Sequence, residues 1–352
     1  MGRDYDPIAL VVTVTLGLAG ALGAVRLGTP LPWLLGAVVA VGAAALAGIR
    51  VQGEAVQFPI ELRAFFVPII GVAIGGAVTP DLLTEAPGWW PSVLALLLYV
   101  PAAQVSAYLI FRRLGGQSRP TAWFAAMPGG LIEAITMGEA AGAEPRMLNL
   151  LQFLRLIACI LIVPIGFTLA EGMSVGSGAG AALPASPLDA VDAAILFACG
   201  FIGLYGGRAL GLPAAVITGP LLLSGAAHLA GLTQAVPPPW MIALTQLVVG
   251  ITLGVRFVGL TRGEVAKGLG LTLLSLSVTL GLAVAAAFAL ADAVGERVEA
   301  VILAFAPGGV VEMALIAISL QIGVIYVAAH HVLRILVTVF FARHAWRRME
   351  GA

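Results

Sequence analysis

Long apolar runs separated by short polar stretches recur along the whole chain. In the first half they cover residues 7–25, 30–48, 62–79, 90–111 and 146–170. In the second they cover 188–209, 213–231, 239–258, 268–291 and 323–342. An α-helix rises about 1.5 Å per residue, so runs of this length suit the ~30 Å of hydrocarbon in a bilayer. The pattern predicts ten membrane helices. Two more segments, 120–143 and 297–321, are apolar but interrupted by Pro-Gly-Gly. Proline removes a backbone donor and paired glycines allow angles that a helix cannot hold, so each segment reads as two short helices around a break.

Composition agrees with the pattern. Of 352 residues 60% are hydrophobic and 10% charged, with a mean hydropathy of +1.05, whereas a soluble domain carries about 25% charged residues. The net charge is zero, so no global field points to nucleic acid. The opening MGRDYDPIALVV lacks a basic n-region and a small-residue cleavage site, so the first run reads as a retained helix. Cys159 and Cys199 fall inside apolar runs without metal or CxxC spacing; they read as buried small hydrophobes. No cofactor or metal is expected, and no enzyme activity.

Loop charges bear on the two broken segments. If both cross the membrane, with the amino terminus inside, Arg256, Arg262 and Lys267 lie outside while Asp292, Glu296 and Glu299 lie inside. That opposes the positive-inside tendency. If both are re-entrant, Arg50, Arg63, Arg112, Arg113, Arg119 and Arg208 fall inside, together with Arg256, Arg262, Lys267, Arg343, Arg347 and Arg348. Asp81, Glu85, Glu171, Asp189, Asp292, Glu296 and Glu299 then fall outside, and Arg297 is the one basic loop residue on the wrong side. Five crossings per half give the halves opposite orientations. A broken helix that crosses, paired with one misplaced span, preserves the same inversion. The fold expected is an all-α polytopic membrane protein of two inverted-topology repeats. Each repeat holds about five spanning helices plus one broken or re-entrant helix.

The repeat is visible in the residues themselves. MPGGLIE (127–133) aligns without gaps with APGGVVE (306–312), and the register continues to Arg155 on Arg334, a constant offset of 179 positions. RLGTPLPWLLG (26–36) likewise resembles ALGLPAAVITG (209–219). The halves expected are 7–170 and 188–346, joined by a Gly-, Ser-, Ala- and Pro-rich linker over 171–187.

Backbone that is not helical at membrane depth is tolerated only where protein or a wet cavity satisfies it. The breaks at Pro128, Gly129 and Gly130 and at Pro307, Gly308 and Gly309 are therefore expected to line a site. The helix after each break offers free N–H groups to an anion. Glu133 and Glu312 sit in the first turn of those helices. They read either as acids answering the dipole or as a proton or cation site, and intramembrane acids are rare enough to favour the second. Arg155 and Arg334 lie deep in their helices and read as partners either of those glutamates or of an anionic substrate. Asn149, Gln152, Gln321 and His331 are secondary candidates. Adjacent histidines 330 and 331 point about 100° apart on a helix, which makes no metal face.

The doubled PGGLIE and PGGVVE module resembles the membrane AbrB family, which is distinct from the soluble DNA-binding proteins of the same name. The resemblance covers nearly the whole chain. Residue by residue it carries over only Pro128, Gly129, Gly130 and Glu133 with Pro307, Gly308, Gly309 and Glu312. It implies kinship with cation:proton antiporters and anion transporters, hence inverted repeats, discontinuous helices and elevator-like alternating access. Members carry names such as regulator of aidB expression and ammonia monooxygenase. Four histidines (228, 330, 331 and 344) without ligand spacing argue against oxygenase chemistry. No long segment outside the membrane argues against direct nucleic-acid binding.

These observations imply a secondary transporter of a small anionic solute coupled to H⁺ or Na⁺. The alternative is a membrane sensor or regulatory partner that keeps a transporter fold and affects gene expression indirectly. The expected partners are the lipid bilayer and a small-molecule or ion substrate, with a homodimer expected by analogy. The expected location is a bacterial-type inner membrane with both termini cytoplasmic.

Overall fold

A computed structural model describes residues 5–171 and 188–350. Apart from its first residue, the linker expected over 171–187 lies outside the described residues. The helices follow the apolar runs: α1 (Pro7–Arg26), α2 (Pro32–Leu46), α3 (Arg63–Gly75), the single turn α4 (Leu82–Glu85) and α5 (Trp90–Leu109). Next come α6 (Arg119–Ala125), α7 (Leu131–Ala140), α8 (Pro145–Glu171), α9 (Ala190–Ala209), α10 (Ala215–Leu229) and α11 (Pro239–Gly254). The chain ends with α12 (Arg262–Val294), α13 (Val298–Phe305), α14 (Val310–Leu320) and α15 (Val324–Glu350). A two-residue hairpin, β1 (Arg50–Val51) with β2 (Glu54–Ala55), turns the chain between α2 and α3. Each Pro-Gly-Gly separates two short helices, α6 from α7 and α13 from α14.

Among the described residues seven helices are long and apolar enough to cross a membrane. This is the architecture of a polytopic helical membrane protein. Three of the ten expected spans are shorter than a bilayer crossing: α2 and α10 have 15 residues each and α3 has 13. The cause is local. Leu31 and Ala214, the residues before α2 and α10, adopt left-handed angles (φ 44° and 49°), so the helix starts after them rather than at the proline where the apolar run begins. Such a conformation costs a residue with a side chain about 1–3 kcal/mol. Its recurrence at aligned positions shows that the repeat extends to backbone geometry.

The chain folds as two compact units, and neither follows one half of the sequence. One comprises residues 1–78, 161–262 and 318–321; the other comprises 79–160, 263–317 and 322–352. In the first unit α1 packs on α2, α9 on α10, α3 on α10 and α11 on α2. Glycines set these crossings. A side chain on Gly36 would strike the backbone of Gly20, and one on Gly219 the backbone of Gly203. A methyl group on Gly71 would stand 2.6 Å from the Ile217 carbonyl, and one on Gly250 2.5 Å from the Leu34 carbonyl. The third helix of each half thus packs on the second helix of the other.

These contacts predict that Gly219→Val lowers stability by about 1–3 kcal/mol through forced separation of α9 and α10. Gly206→Val, on α9 where a side chain meets nothing within 4 Å, should leave the melting temperature of the detergent-purified protein unchanged.

Candidate functional site

Both breaks and both deep arginines belong to the second unit. The first break starts where α6 runs out at Ala126. It ends at Gly130, whose left-handed angle (φ 67°) lets the chain turn into α7. The carbonyls that α6 leaves without intrahelical partners are held by side chains of α8. Gln152 Nε2 donates to the carbonyls of Phe124 (2.7 Å) and Ala125 (3.3 Å). Arg155 Nη1 donates to the carbonyl of Met127.

The second break repeats the arrangement with other residue types. His331 Nε2 donates to the carbonyl of Leu303 at 2.8 Å. Arg334 Nη1 donates to the carbonyls of Phe305 (3.3 Å) and Ala306, and its Nη2 to the carbonyl of Gly308 (2.8 Å). The other imidazole nitrogen, Nδ1, accepts from Arg334 Nη2 at 2.9 Å. A carbonyl can only accept, so His331 is fixed as the Nε2–H tautomer. Phe124 and Leu303, like Met127 and Ala306, are 179 positions apart. The offset read from the sequence therefore reappears as paired contacts.

The two halves also reach across to each other inside this unit. A methyl group on Gly130 would lie 3.5 Å from Ile335 Cγ2, and one on Gly309 3.3 Å from Leu156 Cδ1, again equivalent positions. Each glutamate folds back on its own break: a methyl group on Gly130 would stand 3.1 Å from Glu133 Oε2, and one on Gly309 would collide with Glu312 Oε2. Glu312 is buried, 1% exposed, whereas Glu133 is half-buried. Both arginines bond the backbone carbonyls of the breaks, where one of the two expectations gave them a glutamate.

The secondary candidates divide. Gln152 and His331 belong to the breaks. Asn149 Nδ2 donates to Pro145 O in its own helix at 2.7 Å, and Gln321 is exposed in the turn after α14. His330, next to His331, bonds the Tyr326 carbonyl and Ser92 Oγ, both at 2.8 Å. Sequence reasoning passed over Tyr99, whose ring meets Phe305 edge-on at 5.2 Å. It also passed over Thr338, a buried hydroxyl one turn beyond Arg334. The available signal was Thr338's place at i+4 from a buried arginine, on the same helix face.

The family comparison covers both halves of the chain. The profile of the family described as "AbrB: Transition state regulatory protein AbrB" matches residues 33–350. The chain belongs to the AbrB family. It is 24% identical over 358 aligned residues to "Uncharacterized protein YhjN" of Bacillus subtilis (strain 168), covering 96% of this chain and 92% of that one. It is 24% identical over 326 residues to "Putative regulator AbrB" of Escherichia coli (strain K12), covering 91% and 90%.

Two predictions follow from the bonding. Arg334→Met takes the donor from the Phe305 and Gly308 carbonyls and from His331 Nδ1, while Ala306 keeps the Gly308 N–H; Arg155→Met takes it from one carbonyl. An unsatisfied buried polar group costs about 1–3 kcal/mol. Thermal unfolding should therefore show the larger loss for Arg334→Met. The second concerns Glu296, in the loop before α13. Burial, and secondly the charge of Glu85, push its carboxyl up to about 7. A raised carboxyl favours the neutral form in the folded protein. Its contribution to stability is therefore complete below the ordinary carboxylate range and is lost as pH rises through about 7. Glu296→Gln should remove that part of the fall in melting temperature between pH 4.5 and 7.5; an unchanged slope would refute the assignment.

Proposed function

We propose that this protein is a secondary transporter of a small anionic solute, coupled to H⁺ or Na⁺, with its site at the two Pro-Gly-Gly breaks. One observation carries the reading. Two buried guanidinium groups stand at the breaks and are held by backbone carbonyls. Neutral carbonyls offset a buried charge less than an anion in contact does, so an anion entering between the half-helices would be favoured. The N-termini of α7 and α14 add the positive end of their dipoles.

Coupling follows from charge balance. With Glu133 and Glu312 ionised, their field opposes an entering anion. A proton or Na⁺ on either carboxylate removes that opposition, so cation and anion bind together and move together. Alternating access comes from displacement of the unit that holds both breaks. The chain sits in a bacterial-type inner membrane as two inverted repeats with cytoplasmic termini, a topology supported by its loop charges. The regulator name of the Escherichia coli relative favours a second reading, a membrane sensor with this fold that acts through a partner.

Proteoliposomes containing only the purified protein test the choice. Labelled acetate or formate should accumulate when an inward H⁺ or Na⁺ gradient is imposed, and Glu312→Gln should keep anion binding but lose dependence on the gradient. A sensor would show no uptake under either gradient.

A further inference from the structure

The two breaks share a backbone plan but differ on the side that faces the opposite half. We propose that the first break seats one oxygen of a small oxyanion against Gly129, between Arg334 Nε–H and the Thr338 hydroxyl, and that the second break seats none. This deepens the transporter reading and rests on it, since it places that reading's anion.

Arg334 has five N–H donors. Four point to the end of α13 and to His331. The fifth, on Nε, has no hydrogen-bond partner, in a side chain only 1% exposed. Thr338 lies four residues on, the same face of α15, fully buried, and its Oγ1 also has no partner. Helical threonines ordinarily bond the carbonyl one turn back, as Thr13, Thr136 and Thr279 do here. Thr338 does not. A methyl group placed on Gly129 would lie 3.5 Å from Arg334 Nε, 3.7 Å from Thr338 Oγ1 and 3.7 Å from Ile335 Cγ1. Residue 129 thus places no side chain between its own backbone and the two unpartnered donors, which converge on it with one positive charge. An oxygen carrying negative charge suits that space, at the 2.7–3.0 Å typical of such bonds.

The matching arginine, Arg155, also has an unpartnered Nε–H, but the second break lacks the open glycine and the hydroxyl. A methyl group on Gly308 would lie 2.7 Å from Met313 Cε and 3.0 Å from its Sδ, so the thioether fills the place that is open at Gly129. The residue matching Met313 in the first half is Ala134, and the residue matching Thr338 is Cys159. A small side chain keeps the first seat open. A long one closes the second, and a thiol stands there instead of the hydroxyl.

Isothermal titration of the full-length protein in detergent with sodium formate, acetate and nitrate, against sodium chloride at equal ionic strength, tests the seat. The expected result is one oxyanion per chain, at least about tenfold weaker in Thr338→Val and absent in Gly129→Ala. Gly129→Ala adds its methyl group at ordinary contact distance, and Thr338→Val preserves shape if the first variant fails to fold. Unaltered binding in both variants, two anions per chain, chloride bound as tightly as the oxyanions, or no binding of any of the three would each overturn the proposal. Uptake into liposomes separates the two ideas. Uptake that persists unchanged in Thr338→Val keeps the transporter and sinks the seat. Variant-sensitive binding without uptake keeps the seat and sinks the transporter.

Discussion

Everything distinctive in the second unit depends on one constraint: backbone carbonyls released by a broken helix must find donors where water does not reach. Two helices, α6 and α13, stop deep in the unit after 7 and 8 residues. Each leaves carbonyls that a continuous helix would have bonded. An unpaired carbonyl in an apolar interior costs about as much as a well-formed hydrogen bond contributes, or more. The fold meets this with one long helix beside each break, α8 or α15, carrying two polar residues three positions apart. Gln152 and Arg155 serve the first break, His331 and Arg334 the second. The arginines are thus primarily backbone caps placed against the negative end of a helix dipole. Their charge is what remains for a ligand once that task is met.

The duplicated plan separates contacts that both halves need from those that one half has changed. Cap positions recur at a constant offset although the chemistry differs, since glutamine and histidine can each offer one N–H to the same carbonyl. The glycine crossings of the first unit recur as well, at Gly20 with Gly36 and at Gly203 with Gly219. By contrast, Ala134 and Met313 occupy matching places and do opposite things, one leaving space beside its break and the other filling it. Fold-bearing contacts are satisfied twice, while contacts suited to a ligand survive once. Duplication supplies two frames, and a single small solute needs only one seat.

Much of this was legible in the sequence. Apolar runs gave most long helices to within four residues, though α12 begins six residues before its run and α15 extends eight beyond it. Pro-Gly-Gly marked both breaks because proline and paired glycine act through local backbone chemistry. The offset of 179 brought Arg155 and Arg334 into correspondence before any contact was known. Other features were hidden because they depend on neighbours far away in the chain. Nothing near Arg155 says that its partner is the Met127 carbonyl rather than a glutamate. Leu31 and Ala214 lack the glycine that usually announces a left-handed turn, so the spans of α2 and α10 were drawn too long. The interleaving of the halves into two units rests on which helices pack together, and apolar periodicity carries no such information.

The choice of arginine over lysine follows from geometry. A lysine at 334 has three donors on one nitrogen, and they radiate from a single point. Arginine presents five in a planar fork, and four are needed to reach Phe305, Ala306, Gly308 and His331. Once those bonds lock the plane of the guanidinium, the direction of the remaining Nε–H is fixed as well. It need not be ordered again when a ligand arrives. Capping the helix and orienting a binding donor are therefore one arrangement, and a change that loosens the cap also misaims the donor. The coupling between fold and site is closest at Arg334 because the same four heavy atoms of its guanidinium serve both.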